Sequence, residues 1–270
     1  MIGGFVFGSL ALLADAAHMV SDVVALALAL GALALAQRPP TARHTYGFGR
    51  SEVIAAQVNG VLLLVGAVAV VIEALRRFGN PHTIDAAGVL VVGVLGLIVN
   101  LGSAAAVGPN TDDNLNLRGA LWHLMSDALG SAAVIVAALG ALVFGIEWLD
   151  PAASLLIAAL VAIAALRLLR DATRVLLDAV PDDLELDDVR HSLEASKGVE
   201  AVHHMHVWSL GTGQRALSAH VVLTGPLSLH AAQLHANELK ELLARRFGIS
   251  HTTLEVECHA CVDDESHAHS

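Results

Sequence analysis

The sequence predicts an α-helical membrane bundle followed by a small soluble α+β domain, and three observations carry this. Of 270 residues, 55% are hydrophobic and only 15% are charged, against roughly 25% charged in a soluble domain. Mean hydropathy is +0.64. Five stretches are apolar for about the 20 residues that a 30 Å hydrocarbon core demands, and after Pro181 the composition becomes that of a soluble protein. Aromatic residues make up 4% while Ala, Leu and Val abound, which favours helices over an outer-membrane barrel. The net charge of −11 comes mostly from the C-terminal third, so it describes the soluble appendage. No basic stripe interleaves with aromatics, which argues against a nucleic-acid partner. Cys258 and Cys261 are too few and too close for a disulfide framework.

The opening run "MIGGFVFGSLALLADA" is apolar but lacks a basic leader, so it makes a poor signal peptide. It reads as the end of one membrane helix turning into the next at Gly8 and Ser9, with the expectation that most of a first helix is missing. The predicted spans are Leu10–Ala36, Val53–Leu75, Ile84–Val107, Leu117–Phe144 and Leu149–Leu169. They are separated by "QRPPTARHTYGFGRSE", "RRFGNPHT", "GPNTDDNLN" and "GIEW", each polar or bearing Pro or Gly. Arg38, Arg43, Arg50, Arg118, Arg167, Arg170 and Arg174 fall on one side and Arg76 and Arg77 on the other. Seven against two places the first side, and the C-terminus, in the cytosol.

Beyond Pro181, Asp187–Ser196 reads as a helix, and "VEAVHHMHVWSL" and "ALSAHVVLT" as strands. "SLHAAQLHANELKELLARRF" repeats apolar residues at helical spacing, and "HTTLEVE" is a last strand. The order α-β-β-α-β gives a small α+β sandwich. The expected division is a membrane part at 1–175, a soluble domain at 176–258, and a flexible His- and Cys-bearing tail at 259–270.

A charge in hydrocarbon costs at least ~2.5–3.5 kcal/mol on insertion scales, yet the first full span carries Asp15, His18 and Asp22. His18 and Asp22 are four apart and share a helix face. The fourth span repeats the spacing with His123 and Asp127. Two imidazoles and two carboxylates on facing helices can close a tetrahedral shell, the geometry zinc prefers; magnesium would want more oxygens and retained waters. Asp15, three residues before His18, could guide ions, orient the His18 ring or cap the nearby turn. Asn100 and Glu73 could line a path, with an interhelical hydrogen bond the simpler reading.

In order and context, "GSLALLADAAHMVSDVVAL", "RHTYGFGRSEVIAA", "NLRGALWHLMSDALGS" and "VHHMHVWSL…ALSAHVVLT…HTTLEVE" resemble the cation diffusion facilitator family, in particular its zinc-transporting members. The resemblance implies a multi-pass homodimer of six-helix protomers with a cytosolic ferredoxin-like domain, exporting Zn2+ in exchange for protons. It implies a transport site at His18, Asp22, His123 and Asp127. It further implies an interface site at His44, incomplete because Phe48 occupies a second His-type position, and a cytosolic site at His203, His220 and Glu257 where zinc would be a regulatory ligand. Strand alternation puts His204 and His206 on the face opposite His203. His230, His235 and His251 read as surface residues. The Cys258–Cys261 pair, with His259, His267 and His269, could catch zinc but cannot close a structural site.

Two His ligands favour zinc over manganese or iron, although the affinity order also permits nickel, cobalt and copper. An intramembrane metallohydrolase would keep a coordination position open for water beside a base. Four protein ligands and the lack of an HExxH-type motif count against it, and the chain is expected not to be an enzyme. A non-transporting metal-binding dimer partner is the remaining alternative.

Overall fold

The computed structural model describes residues 2–79, 83–107, 115–225 and 227–258. It divides into two compact units, residues 1–28 with 56–169, and residues 29–55 with 170–270.

The first unit is helical. A short helix α1 (Ile2–Val6) leads through Gly8, at φ +68°, into α2 (Leu10–Ala36). The other spans are α3 (Ser51–Gly79), α4 (Ala86–Val107), α5 (Leu115–Phe144) and α6 (Leu149–Leu176). Even α4, with 22 residues, is about 33 Å long at 1.5 Å per residue. Helices α3 and α6 outrun the predicted spans because hydropathy marks only the apolar stretch. Helix α3 continues through Arg76 and Arg77, and α6 through Arg170 and Arg174, each at its C-terminal end.

Lipid is as apolar as leucine, so close packing rather than hydrophobicity must join these helices. The buried cluster is accordingly rich in small residues: Ala11, Leu12, Ala14, Val89, Val134, Ala138 and Ile157. At Gly93 a Cβ would come within 3.1 Å of Ile135, which shows how tightly α4 lies on α5. Asn100 Nδ2 donates to Ser131 Oγ at 3.3 Å across the same helix pair, the interhelical bond expected of it. Glu73 instead accepts from Arg77 at 3.3 Å on its own helix.

The sequence reading missed Asp150. It is 2% exposed and accepts from Ser9 Oγ at 2.5 Å and from the amides of Leu10 and Ala11 at 2.8 and 3.3 Å. It thus satisfies the unpaired N–H groups and positive dipole end of α2 from a different helix.

In the second unit the order is α7 (Leu186–Glu194), β1 (Val199–Gly211), β2 (Gln214–Leu223), α8 (Leu229–Phe247) and β3 (Ile249–Glu257). Strands β1 and β2 are antiparallel and β2 and β3 parallel, in the spatial order β1-β2-β3. This is the ferredoxin-like order without its first strand. One sheet face packs on α7 and α8 through Val189, Leu193, Met205, Val207, Leu217, Val221, Leu239 and Leu243; the other carries the histidines. Ser228 caps α8, accepting from the Ala231 amide at 3.2 Å, and Gly248 ends it at φ +66°. Arg215 donates to Asp183 at 2.5 Å and holds that exposed carboxyl below the usual carboxylate range.

Candidate metal sites

The four residues chosen by spacing in the first unit converge. His18 Nε2 lies 3.5 Å from Asp127 Oδ1, and His123 Nε2 lies 3.5 Å from Asp22 Oδ2 and 3.7 Å from Asp127 Oδ2. His18 Nδ1 is 3.9 Å from Asp22 Oδ1. An ion bound tetrahedrally at 2.0–2.2 Å needs donors about 3.3–3.6 Å apart, and these separations approach that. His18, Asp22 and Asp127 each offer a donor atom within 4.8 Å of the others. His123 stands beside them, its ring centroid 6.1 Å from that of His18.

Two further observations fit a cation. His18 Nδ1 and Asp127 Oδ1 are buried atoms with no hydrogen-bond partner, an arrangement that costs about 1–3 kcal/mol unless something fills it. The adjacent hydroxyls do not compete: Ser21 donates to the Ala17 carbonyl at 2.9 Å and Ser126 to that of Trp122 at 3.1 Å. Side-chain exposure rises from 9% at Asp127 through 23% at His18 and 30% at Asp22 to 50% at His123. Asp15 is buried and turns towards α5 rather than onto the His18 ring; its Oδ1 lies 2.9 Å from where a Cβ on Gly130 would be.

The second cluster is on the open face of the sheet. Glu257 reaches His203 Nε2 at 3.0 Å and His220 Nδ1 at 2.8 Å, and its side chain is only 5% exposed. The residues predicted from three strands therefore meet. Sequence reasoning missed two others: Glu255, 3.4 Å from His220, and His204, whose ring centroid is 5.2 Å from that of His203 and 5.0 Å from that of His220. Placing His204 on the opposite face was wrong because β1 carries a bulge. His203 pairs with His220 and His206 with Ser218, so three steps on β1 face two on β2, and His204 takes φ +48°. His206 lines the same cleft as His204 and His220, which overturns its expected place as well. Glu255, two residues from Glu257 on one strand, was findable by alternation; nothing in the sequence announces the bulge.

His44 is exposed in the loop at residues 37–50, where its ring packs on Phe48 at 4.6 Å. Among the described residues it joins none of the groups able to hold an ion. Nearby, Arg50 pairs with Asp178 and Glu52 accepts from Thr212. Of the three surface histidines, His230 is exposed, His235 lies 3.7 Å from Glu238, and His251 packs its ring 5.2 Å from Tyr46. Cys258 is exposed, and the tail at 259–270 lies outside the described residues.

Comparison with known proteins places the geometry in a family. Residues 1–177 match the family model described as the cation efflux transmembrane domain, and residues 181–259 that of the cation efflux protein, cytoplasmic domain. The chain is 39% identical over 269 residues to the metal cation efflux system protein CzcD of Cupriavidus metallidurans, covering 100% of this chain and 84% of that one. It is 36% identical over 261 residues to the cadmium, cobalt and zinc/H(+)-K(+) antiporter of Bacillus subtilis (strain 168), covering 96% and 84%. Zinc transporter ZitB of Escherichia coli (strain K12) is 35% identical over 269 residues, covering 99% and 85%. Among solved structures, the metal-bound C-terminal domain of CzcD matches 27% of this chain and 99% of that one at 34% identity, with a TM-score of 0.25. The chain is a multi-pass membrane transporter rather than an enzyme, with a cytoplasmic C-terminal domain, and it belongs to the cation diffusion facilitator family.

Proposed function

We propose that this protein exports zinc from the cytosol in exchange for protons, with His18, Asp22, His123 and Asp127 holding the ion in transit. The observation that carries this reading is the meeting of two His-x-x-x-Asp arms at near-tetrahedral spacing inside an apolar bundle. Imidazole and carboxylate bind a metal only when deprotonated, so proton and zinc compete for the same donors. That competition is the chemical basis of exchange: protons arriving from outside release zinc, and their departure inside restores the ligands. The rise in exposure towards His123 and Asp22, which lie nearer the cytosolic ends of α2 and α5, supports loading from the cytosol.

On this reading residues 1–175 carry transport. The domain at 176–258 dimerises with a second copy and takes zinc as a regulatory ligand through His203, His220 and Glu257, joined by His204 and Glu255. Zinc uptake into proteoliposomes under an imposed pH gradient tests the exchange. Uptake driven by the gradient, and collapsing when an ionophore dissipates it, is the expected result; zinc movement indifferent to the gradient contradicts the coupling.

A further inference from the structure

The loop between α2 and α3 is fastened to the sheet of its own unit at a point where neither side has room for a side chain. A Cβ on Gly49 would lie 2.8 Å from the Leu210 carbonyl oxygen, and one on Gly211 would lie 2.9 Å from the Gly49 Cα. Real Cβ atoms do not approach backbone this closely, so the two chains touch backbone to backbone. Around this point Thr212 donates to Glu52, Arg50 pairs with Asp178, and the rings of Tyr46 and His251 meet edge to face at 5.2 Å. Trp208 and Leu210 of β1 share a cleft of about 610 Å3 with His44, Tyr46 and Phe48. The loop is also internally tied. Thr41 and His44 exchange backbone hydrogen bonds of 3.0 and 3.1 Å, and the Gly47 amide donates to the His44 carbonyl at 2.9 Å.

We infer that Gly49 on Gly211 is a metal-independent joint linking the α2–α3 loop to the β1–β2 turn, so that the loop holds its place without an ion at His44. His44 instead packs on Phe48 and hydrogen-bonds Thr41. The joint also has a direction. Leu210 and Gly211 end β1, Gln214 starts β2 and His251 lies at the start of β3, while His203, His220 and Glu257 stand towards the opposite ends of the same three strands. A change of strand register or twist at the cytosolic cluster therefore reaches the loop through β1 and β3, and the loop is joined along the chain to α2, which carries His18 and Asp22.

The inference about the joint does not depend on the transport reading, because its first test is structural. Amide hydrogen exchange of residues 44–50 is measured in the full-length protein in nanodiscs, with EDTA and with added zinc. Equal protection in both is expected; protection that appears only with zinc overturns the joint. Gly211→Ala should speed exchange in the loop by about tenfold, the scale of one overpacked contact, whereas Gly31→Ala, with nothing within 4 Å of its Cβ, should leave it unchanged. Should Gly211→Ala fail to insert, Thr212→Val removes the hydroxyl donated to Glu52 and should loosen the loop in the same direction. His44→Ala should leave the protection in place; if His44→Ala exposes the loop and the Gly211 and Thr212 variants do not, a metal site holds it and the inference falls. Zinc flux of the same variants then reports whether loosening the joint also slows transport.

Discussion

The two His–carboxylate clusters use the same side chains in opposite ways. In the bundle, donors stand 3.5–3.9 Å apart, longer than ordinary hydrogen bonds, and two buried atoms, His18 Nδ1 and Asp127 Oδ1, have no partner. On the sheet, Glu257 already bonds two imidazoles at 2.8 and 3.0 Å. The first is spaced for an ion and left unsatisfied by its own residues. The second satisfies itself, and a metal must displace hydrogen bonds to enter. A cargo site gains from donors that wait open; a site that responds to concentration gains from a competing state without metal.

The largest expected effect breaks the first cluster. Asp127→Ala removes the most buried carboxylate of the four and should reduce zinc flux in proteoliposomes to background while leaving insertion intact. Near-normal flux from folded variant protein would remove Asp127 from the site. Breaking the second cluster should leave transport chemistry in place but change stability. Residues 181–258 draw their core from their own elements, so the fragment is a fair host for melting experiments. Metal binding to the folded state adds about 2.7 kcal/mol at a hundredfold excess over Kd, a Tm rise on the order of 10 °C for a domain of this size. His220→Ala should erase that rise, and the wild-type rise should fade as pH falls through the imidazole range because the ligand must be neutral.

A smaller effect sharpens the comparison at the bulge. The left-handed backbone of His204 costs a non-glycine residue roughly 1–2 kcal/mol. His204→Gly should therefore raise the metal-free Tm by a few degrees while weakening zinc binding; an unchanged zinc titration would take His204 out of the shell. The smallest concerns Asp183. Its carboxyl titrates below its unfolded value, so its contribution is present above the ordinary carboxylate pKa of about 3.9 and is lost as pH falls through the lower folded one. Asp183→Asn should cost slight stability at neutral pH, and the difference should vanish in acid. A difference that grows in acid would contradict the assignment.

The membrane cluster was legible from sequence because helical spacing is regular: His18 and Asp22, or His123 and Asp127, can face nowhere but the same side. The spans were legible for the same reason, their ends less so, since Arg76 or Arg174 extends a helix that hydropathy has stopped counting. The sheet cluster was only partly legible. Alternation finds Glu255 from Glu257, but one extra residue in β1 turns His204 back beside His203, and no glycine marks the place. Asp150 was invisible because capping another helix depends on tertiary contact alone. Phe48 beside His44 was readable, and its consequence in the structure is a ring contact.

The central claim, that two histidines and two aspartates of the bundle hold one zinc tetrahedrally, is tested most directly by zinc X-ray absorption. The sample is the chain ended at Glu257 and carrying His220→Ala, loaded with one equivalent, so that neither the sheet cluster nor the cysteine pair interferes. The account predicts four nitrogen and oxygen scatterers at about 2.0–2.1 Å with an imidazole signature, lost in Asp127→Ala. Six-coordinate oxygen, or a spectrum unchanged by Asp127→Ala, would contradict it.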